Sequence, residues 1–226
     1  MLVNADFSQR AVSLPAEQHW VNSPQQGVER IMLDRLGDEK TRATSIVRYA
    51  PESYFPHHQH PGGEEILVLS GVFSDGDDHY PTGWYIRNPP SSGHQPYSRE
   101  GAIIFVKLWQ MSPDEDQHVR IDTNDAANWQ RQEDREVCPL FADEREDVSL
   151  RRWQAGTALT IENVKGAEIL VVAGELIEGE KTYQPNSWLR YPIGSNIELA
   201  AGSEGVTVYL KTGHLAHINP DDFTAN

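Results

Sequence analysis

The residues able to do chemistry are His58, His60, Glu64 and His94. Side chains alternate along an extended strand, so ligands two apart project from one face. His58 and His60 can therefore address the same point. Glu64 can join them from the turn or strand that follows, and His94 must arrive from a separate element. Three neutral imidazoles and one carboxylate suit a borderline divalent ion: zinc first, with iron(II), manganese and nickel left open because they share these ligand types. The expectation is one metal ion per chain. His57 points to the opposite strand face and is assigned an outer role. His19, His79, His118, His214 and His217 have no ligand spacing and read as surface or hydrogen-bonded polar residues. Tyr54, Phe55, Tyr97 and Trp109 are candidates for a pocket rim around the ion, each with core packing as its alternative.

The elements that must position these groups are short strands. TSIVRY (44–49), EILVL (65–69), WYIRN (84–88) and AIIFVKL (102–108) are rich in β-branched and aromatic residues. Clusters of Gly, Pro, Ser and Asp separate them, such as PGG at 61–63 and NPPSSG at 88–93. EILVV (168–172), SWLRY (187–191) and GVTVYLK (205–211) repeat the pattern, and no segment shows a sustained helical period. Many short strands with regular turns predict an all-β chain of jelly-roll barrels.

The repetition is a tandem duplication. EILV at 65–68 recurs at 168–171, an offset of 103 that also pairs Gly71 with Gly174, Tyr80 with Tyr183, Arg87 with Arg190 and Pro89 with Pro192. One residue further on, Glu100-Gly101 pairs with Glu204-Gly205, and Lys107 with Lys211. The expected organisation is a metal-binding domain over 1–125 and a degenerate one over 126–226, with the acidic stretch 130–147 as connector. A strand apolar on both faces, such as 66–69, needs cover on both, so each half is expected to shield the other.

The duplication also serves as an internal control. Opposite His58, His60, Glu64 and His94 stand Ile161, Asn163, Ala167 and Ile197, so the ligands have vanished together. Glu65 persists as Glu168 in the half without ligands, as Arg87 does as Arg190, and both read as structural. Only the first half should hold metal.

With 19 basic and 34 acidic residues the net charge is −15, which disfavours nucleic acid and anionic membrane as partners. The start shows no basic segment followed by an apolar stretch, and no apolar run is long enough to span a bilayer. A single cysteine, Cys138, fits a reducing compartment, so the chain reads as cytoplasmic. The partners left open are a small-molecule ligand, a protein with a basic surface, and a second copy in a homodimer.

These features resemble the cupin superfamily. Its first motif sets His-x-His before a Glu and a Gly, which His58, His60, Glu64 and Gly71 fit. Its second sets a Gly and a Pro before a His, which Gly83, Pro89 and His94 fit, with Ser91 where glycine is usual. HPGGEEILVLSGVFSD (60–75) followed by YIRNPPSSGH (85–94) is similar to the cupin-like domain of the anti-sigma factor ChrR, from about 44 to 110. The resemblance implies a bicupin with one divalent ion at those four residues. It also implies a regulatory or sensing role related to anti-sigma factors, although residues 1–40 lack cysteine and offer no counterpart of ChrR's helical sigma-binding domain. The alternative comes from related small cupins that oxidise β-dicarbonyls with dioxygen: a non-haem Fe(II) dioxygenase of the acetylacetone-cleaving type. A third reading gives the metal a purely structural part.

Overall fold

Of the 226 residues, the computed structural model describes 1–38, 40–161 and 165–218. The chain forms two compact units, one of Met1–Ala5 with His19–Asn124, the other of Asp6–Gln18 with 125–218. Each is an antiparallel β unit, and the helical pieces among the described residues are three 3-10 turns of three or four residues. The predicted all-β tandem architecture is the one found.

The main sheet of the first unit runs Leu2–Val3, Val28–Leu36, Ala43–Tyr49, Ala102–Leu108, Glu64–Asp75, Trp84–Asn88, Val119–Asp122. That of the second runs Gln130–Arg131, Arg135–Ala142, Asp147–Trp153, Glu198–Thr212, Ala167–Glu178, Trp188–Tyr191, Ala11–Ser13. The two orders correspond position by position, which is the duplication expressed as topology. Apart from these sheets, His58–His60 and Ser92–His94 pair as a short ribbon.

Two local expectations are corrected, and one strand is added to those expected. The acidic stretch 130–147 is not a connector, because Arg135–Ala142 is a strand paired with Asp147–Trp153 that buries Val137, Cys138 and Leu140. Residues 6–18, assigned above to the first half, instead complete the second sheet, where Ala11–Ser13 pairs with Trp188–Arg190. The Val28–Leu36 strand was not foreseen, since its charged residues break the apolar pattern and Asp34 and Arg35 are themselves buried.

The Glu64–Asp75 strand aims the site. By period two, Glu64, Ile66 and Val68 share a face, and Ile66 and Val68 pack with Val28, Ile86, Ile104 and Val106. The ladder to Ala102–Leu108 then slips, with Val68 opposite Ile104 but Ser70 opposite Ile103, so Leu69 is an extra residue. One inserted residue reverses which side chains face inward. Phe73 thus enters the same core, and Asp75 comes to the ligand side. Gly71 sits beside this bulge at φ +72°, where a Cβ would lie 2.0 Å from the Gly101 carbonyl oxygen. Gly174 repeats the arrangement at φ +71°, 2.1 Å from Gly205 O, so the glycine pairs of the duplication mark a backbone approach that no side chain can enter.

Candidate metal centre

His58 and His94 face each other directly across the short ribbon, and His60 faces Ser92. The three rings therefore crowd one face, with centroids 4.9 Å (His58–His60), 4.9 Å (His58–His94) and 4.6 Å (His60–His94) apart. Gly93 permits the pairing, since a Cβ there would lie 2.8 Å from His58 O. Glu64 arrives from the neighbouring strand, and one ligand atom from each of the four residues falls within 4.8 Å of the others. His60, Glu64 and His94 are buried, while His58 is half-exposed and marks the open side. Sequence spacing thus named the four residues that come together. Glu65 faces the other way and pairs with Arg87 at 3.1 Å, and Arg87 also grips Glu115.

The hydrogen bonds fix which nitrogen of each ring faces inward. His58 Nδ1 lies 3.0 Å from Pro56 O, an acceptor, so it carries the proton. Ser92 Oγ donates its proton to Pro89 O at 2.6 Å and must accept from His60 Nδ1 at 3.0 Å. His94 Nδ1 lies 3.2 Å from the Asp75 carboxylate. All three Nε2 atoms then present lone pairs to the same space as the Glu64 carboxylate. His58 Nε2 and His60 Nε2 are 3.2 Å apart, and Glu64 Oε2 lies 3.4 Å from His60 Nε2 and 3.3 Å from His94 Nε2. His94 Nε2 is buried with no hydrogen-bond partner. Four acceptors facing one another without a proton repel, and a cation resolves the conflict. Ligands of a tetrahedral ion with bonds of about 2.0–2.1 Å stand about 3.3 Å apart, close to these separations.

The electrostatics agree. Burial disfavours the imidazolium and pushes His60 below its ordinary value, against the pull of Glu64. Burial alone would raise Glu64, but His60, His94 and the amide of Asn88 outweigh it, so its carboxyl is held below the usual range. The set is thus poised with a neutral imidazole beside an ionised carboxylate, the forms a metal requires.

Sequence reasoning missed three supporting groups. Asp75 and Ser92 orient His94 and His60, and Asn88 donates to Glu64 Oε2 at 3.0 Å. The offset comparison contained a signal for Asn88, because its counterpart is Tyr191. Of the aromatic residues, Phe55 packs on His58 at 5.1 Å between ring centroids, whereas Tyr54 is half in solvent. Tyr97 donates its hydroxyl to Gly76 O, and Trp109 lies against Gly62. His57 is exposed. In the second unit, Ile161, Ala167 and Ile197 belong to one apolar core with Trp153, Leu159 and Leu210. Asn163, the fourth counterpart, lies outside the described residues. His214 is buried there and pairs through Nε2 with Glu168 at 3.1 Å.

Residues 8–112 match the family described as the ChrR cupin-like domain. No curated protein matches the chain in sequence. Among solved structures, a putative dioxygenase from Nostoc punctiforme is similar at TM-score 0.71 and 14% identity, covering 97% of this chain and 85% of that one. A bacterial pirin from Escherichia coli in complex with nickel(II) gives TM-score 0.62 at 13% identity, covering 91% and 99%. Oxalate decarboxylase from Bacillus subtilis, a protein with Mn(II) centres, gives 0.61 at 11%, covering 90% and 77%.

Proposed function

We propose that this chain, which resembles the ChrR cupin-like domain over residues 8–112, is a cupin whose function is to hold one divalent metal ion in the first unit as a regulatory or sensing module. His58, His60 and His94 would hold the ion through Nε2, and Glu64 through its carboxylate. The observation that carries this reading is the convergence of four acceptor atoms within 4.8 Å, one of them a buried nitrogen without a hydrogen-bond partner. When bound, such an ion supplies Lewis acidity or redox chemistry according to its identity. The chain's own residues do the rest. Asp75, Ser92 and Pro56 O keep the protons on Nδ1, and Asn88 steadies the carboxylate. Four protein ligands satisfy a tetrahedral zinc ion by themselves, which favours a binding or sensing role over catalysis. The resemblance of residues 8–112 to the ChrR cupin-like domain points the same way, and the partner class proposed is a small molecule or a basic protein.

A second reading is an iron-dependent dioxygenase acting on a small organic compound such as a β-dicarbonyl. The likeness of nearly the whole chain to the putative dioxygenase from Nostoc punctiforme favours it. So does the half-exposed His58 beside Phe55, an approach for a substrate to an ion with more than four positions. Metal analysis of protein from its native host, paired with oxygen uptake in the presence of acetylacetone, separates the two. One zinc per chain and no uptake supports sensing; iron with substrate-dependent uptake supports the oxygenase. Protein that binds no divalent metal, or two ions per chain, would sink both.

A further inference from the structure

Arg120 lies beyond the segment that matches the ChrR cupin-like domain, on the Val119–Asp122 edge strand. We infer that Arg120 is a positioning residue for the metal centre, acting through the Asn88 amide to hold the Glu64 carboxylate on the ion. This inference rests on the metal reading above.

The Asn88 amide has two faces, and each is used. Its Nδ2 donates to Glu64 Oε2 at 3.0 Å, and its Oδ1 accepts from an Arg120 terminal nitrogen at 2.6 Å. Register makes this geometry: Asn88 stands opposite Glu64 on one side of its strand, and Arg120 stands opposite Ile86 on the other. An amide beside a carboxylate can turn either way, and only one way offers a donor. The guanidinium, which can only donate, selects it. Turned over, the amide would set oxygen against carboxylate and NH2 against guanidinium, two repulsive contacts at once. Arg120 is itself pinned, by Nε to Tyr80 OH at 3.0 Å and by its other terminal nitrogen to Arg87 O at 3.0 Å and Val119 O at 2.8 Å. A planar fork can hold Tyr80, the backbone and Asn88 together, and an ammonium cannot.

The second unit separates this role from a general structural one. There an arginine, Arg10, still reaches the tyrosine equivalent to Tyr80, donating to Tyr183 OH at 2.9 Å. The hydrogen-bonded link onward is gone: Tyr191 replaces Asn88 and meets the Arg10 guanidinium with its ring, 5.0 Å to the centroid, and Ala167 replaces Glu64. The arginine–tyrosine clamp survives without ligands, whereas the bridging amide and the carboxylate it serves disappear together.

The test titrates Co2+ into the full apo chain against a competing chelator and records its visible absorption, which reports the ligand field. Outer groups that orient ligands typically change metal affinity by about 10–100-fold. Arg120→Met and Asn88→Ala should each weaken Co2+ binding by about tenfold and alter the absorption, and the double variant should be no weaker than Asn88→Ala. Arg120→Lys, which keeps the charge and stem should Arg120→Met fail to fold, should weaken binding likewise. Affinity in Arg120→Met equal to wild type, losses that multiply in the double variant, or full affinity in Arg120→Lys would each overturn the inference. A lower apo melting temperature with unchanged affinity would do the same, since it reveals a merely structural part. His94→Ala separates the two levels. If it binds Co2+ as well as wild type does, the metal reading itself has failed, whereas its loss beside an unaffected Arg120→Met removes only the role of Arg120.

Discussion

Replacing His60 by alanine should abolish most metal binding, while the same change at Arg190 should leave it untouched. His60 is 4% exposed, and its Nε2 lies 3.2 Å from His58 Nε2 and 3.4 Å from Glu64. The adjacent imidazole, His57, is exposed and does not join the cluster. Four-ligand zinc sites bind with about 10–16 kcal/mol, so an even share is about 2.5–4 kcal/mol per ligand, or two to three orders of magnitude in Kd. Arg190 is buried in the second unit, where it lies 4.0 Å over the Phe7 ring and donates to Asp6 O at 3.1 Å. Its loss should cost about 2–4 kcal/mol of stability, because buried polar partners are left behind, yet move no ligand. Chelator competition at neutral pH reads affinity, and thermal melting of the apo proteins reads stability. The expected pattern is a double dissociation. His60→Ala should lose affinity with a modest change in apo melting, and Arg190→Ala should melt lower with wild-type affinity. Equal losses of affinity in both variants would refute the one-site assignment, and full binding by His60→Ala would remove His60 from the ligand set.

Gly71→Ala should destabilise by about 2–4 kcal/mol, combining about 1–2 for a left-handed residue with the strain of moving the Gly101 carbonyl. Gly76 is the control: it also has positive φ, +59°, but nothing lies within 4 Å of an added Cβ. Denaturant unfolding that finds the two substitutions equally costly would dismiss the close-approach argument. In the second unit, burial alone would raise the Glu178 carboxyl, but hydrogen bonds from Tyr183 and Tyr191 and the charge of Arg10 hold it below its ordinary value. A depressed folded pKa means stability that is present above the usual carboxylate pKa of about 4.3 and lost as pH falls through and below it. Glu178→Gln should therefore lose less stability than wild type between about pH 5 and pH 3; parallel stability curves would contradict the shift.

What the chain writes locally could be read from it. Alternation along a strand put His58 and His60 on one face, and the offset of 103 singled out Glu64 over Glu65, since only Glu64 is lost from the second half. The same offset exposed Gly71 and Gly174, whose shared backbone approach is now visible. The all-β architecture followed from strand length and turn composition, which are properties of short segments. Of the supporting groups, Asn88 alone left a trace in the offset, as Tyr191 in the second half; Asp75, Ser92 and Arg120 left none. Asp75 reaches His94 only because Leu69 is inserted into the ladder and reverses the facing of every residue after it. Arg120 meets Asn88 because an edge strand settles beside Trp84–Asn88, and Ala11–Ser13 joins the second sheet across more than half the chain. Registers, bulges and edge pairings are set by which distant strands bond to each other. Periodicity carries no record of that choice, so the four candidate ligands were legible in the sequence, whereas Asp75, Ser92 and Arg120 emerged only when the sheets had formed.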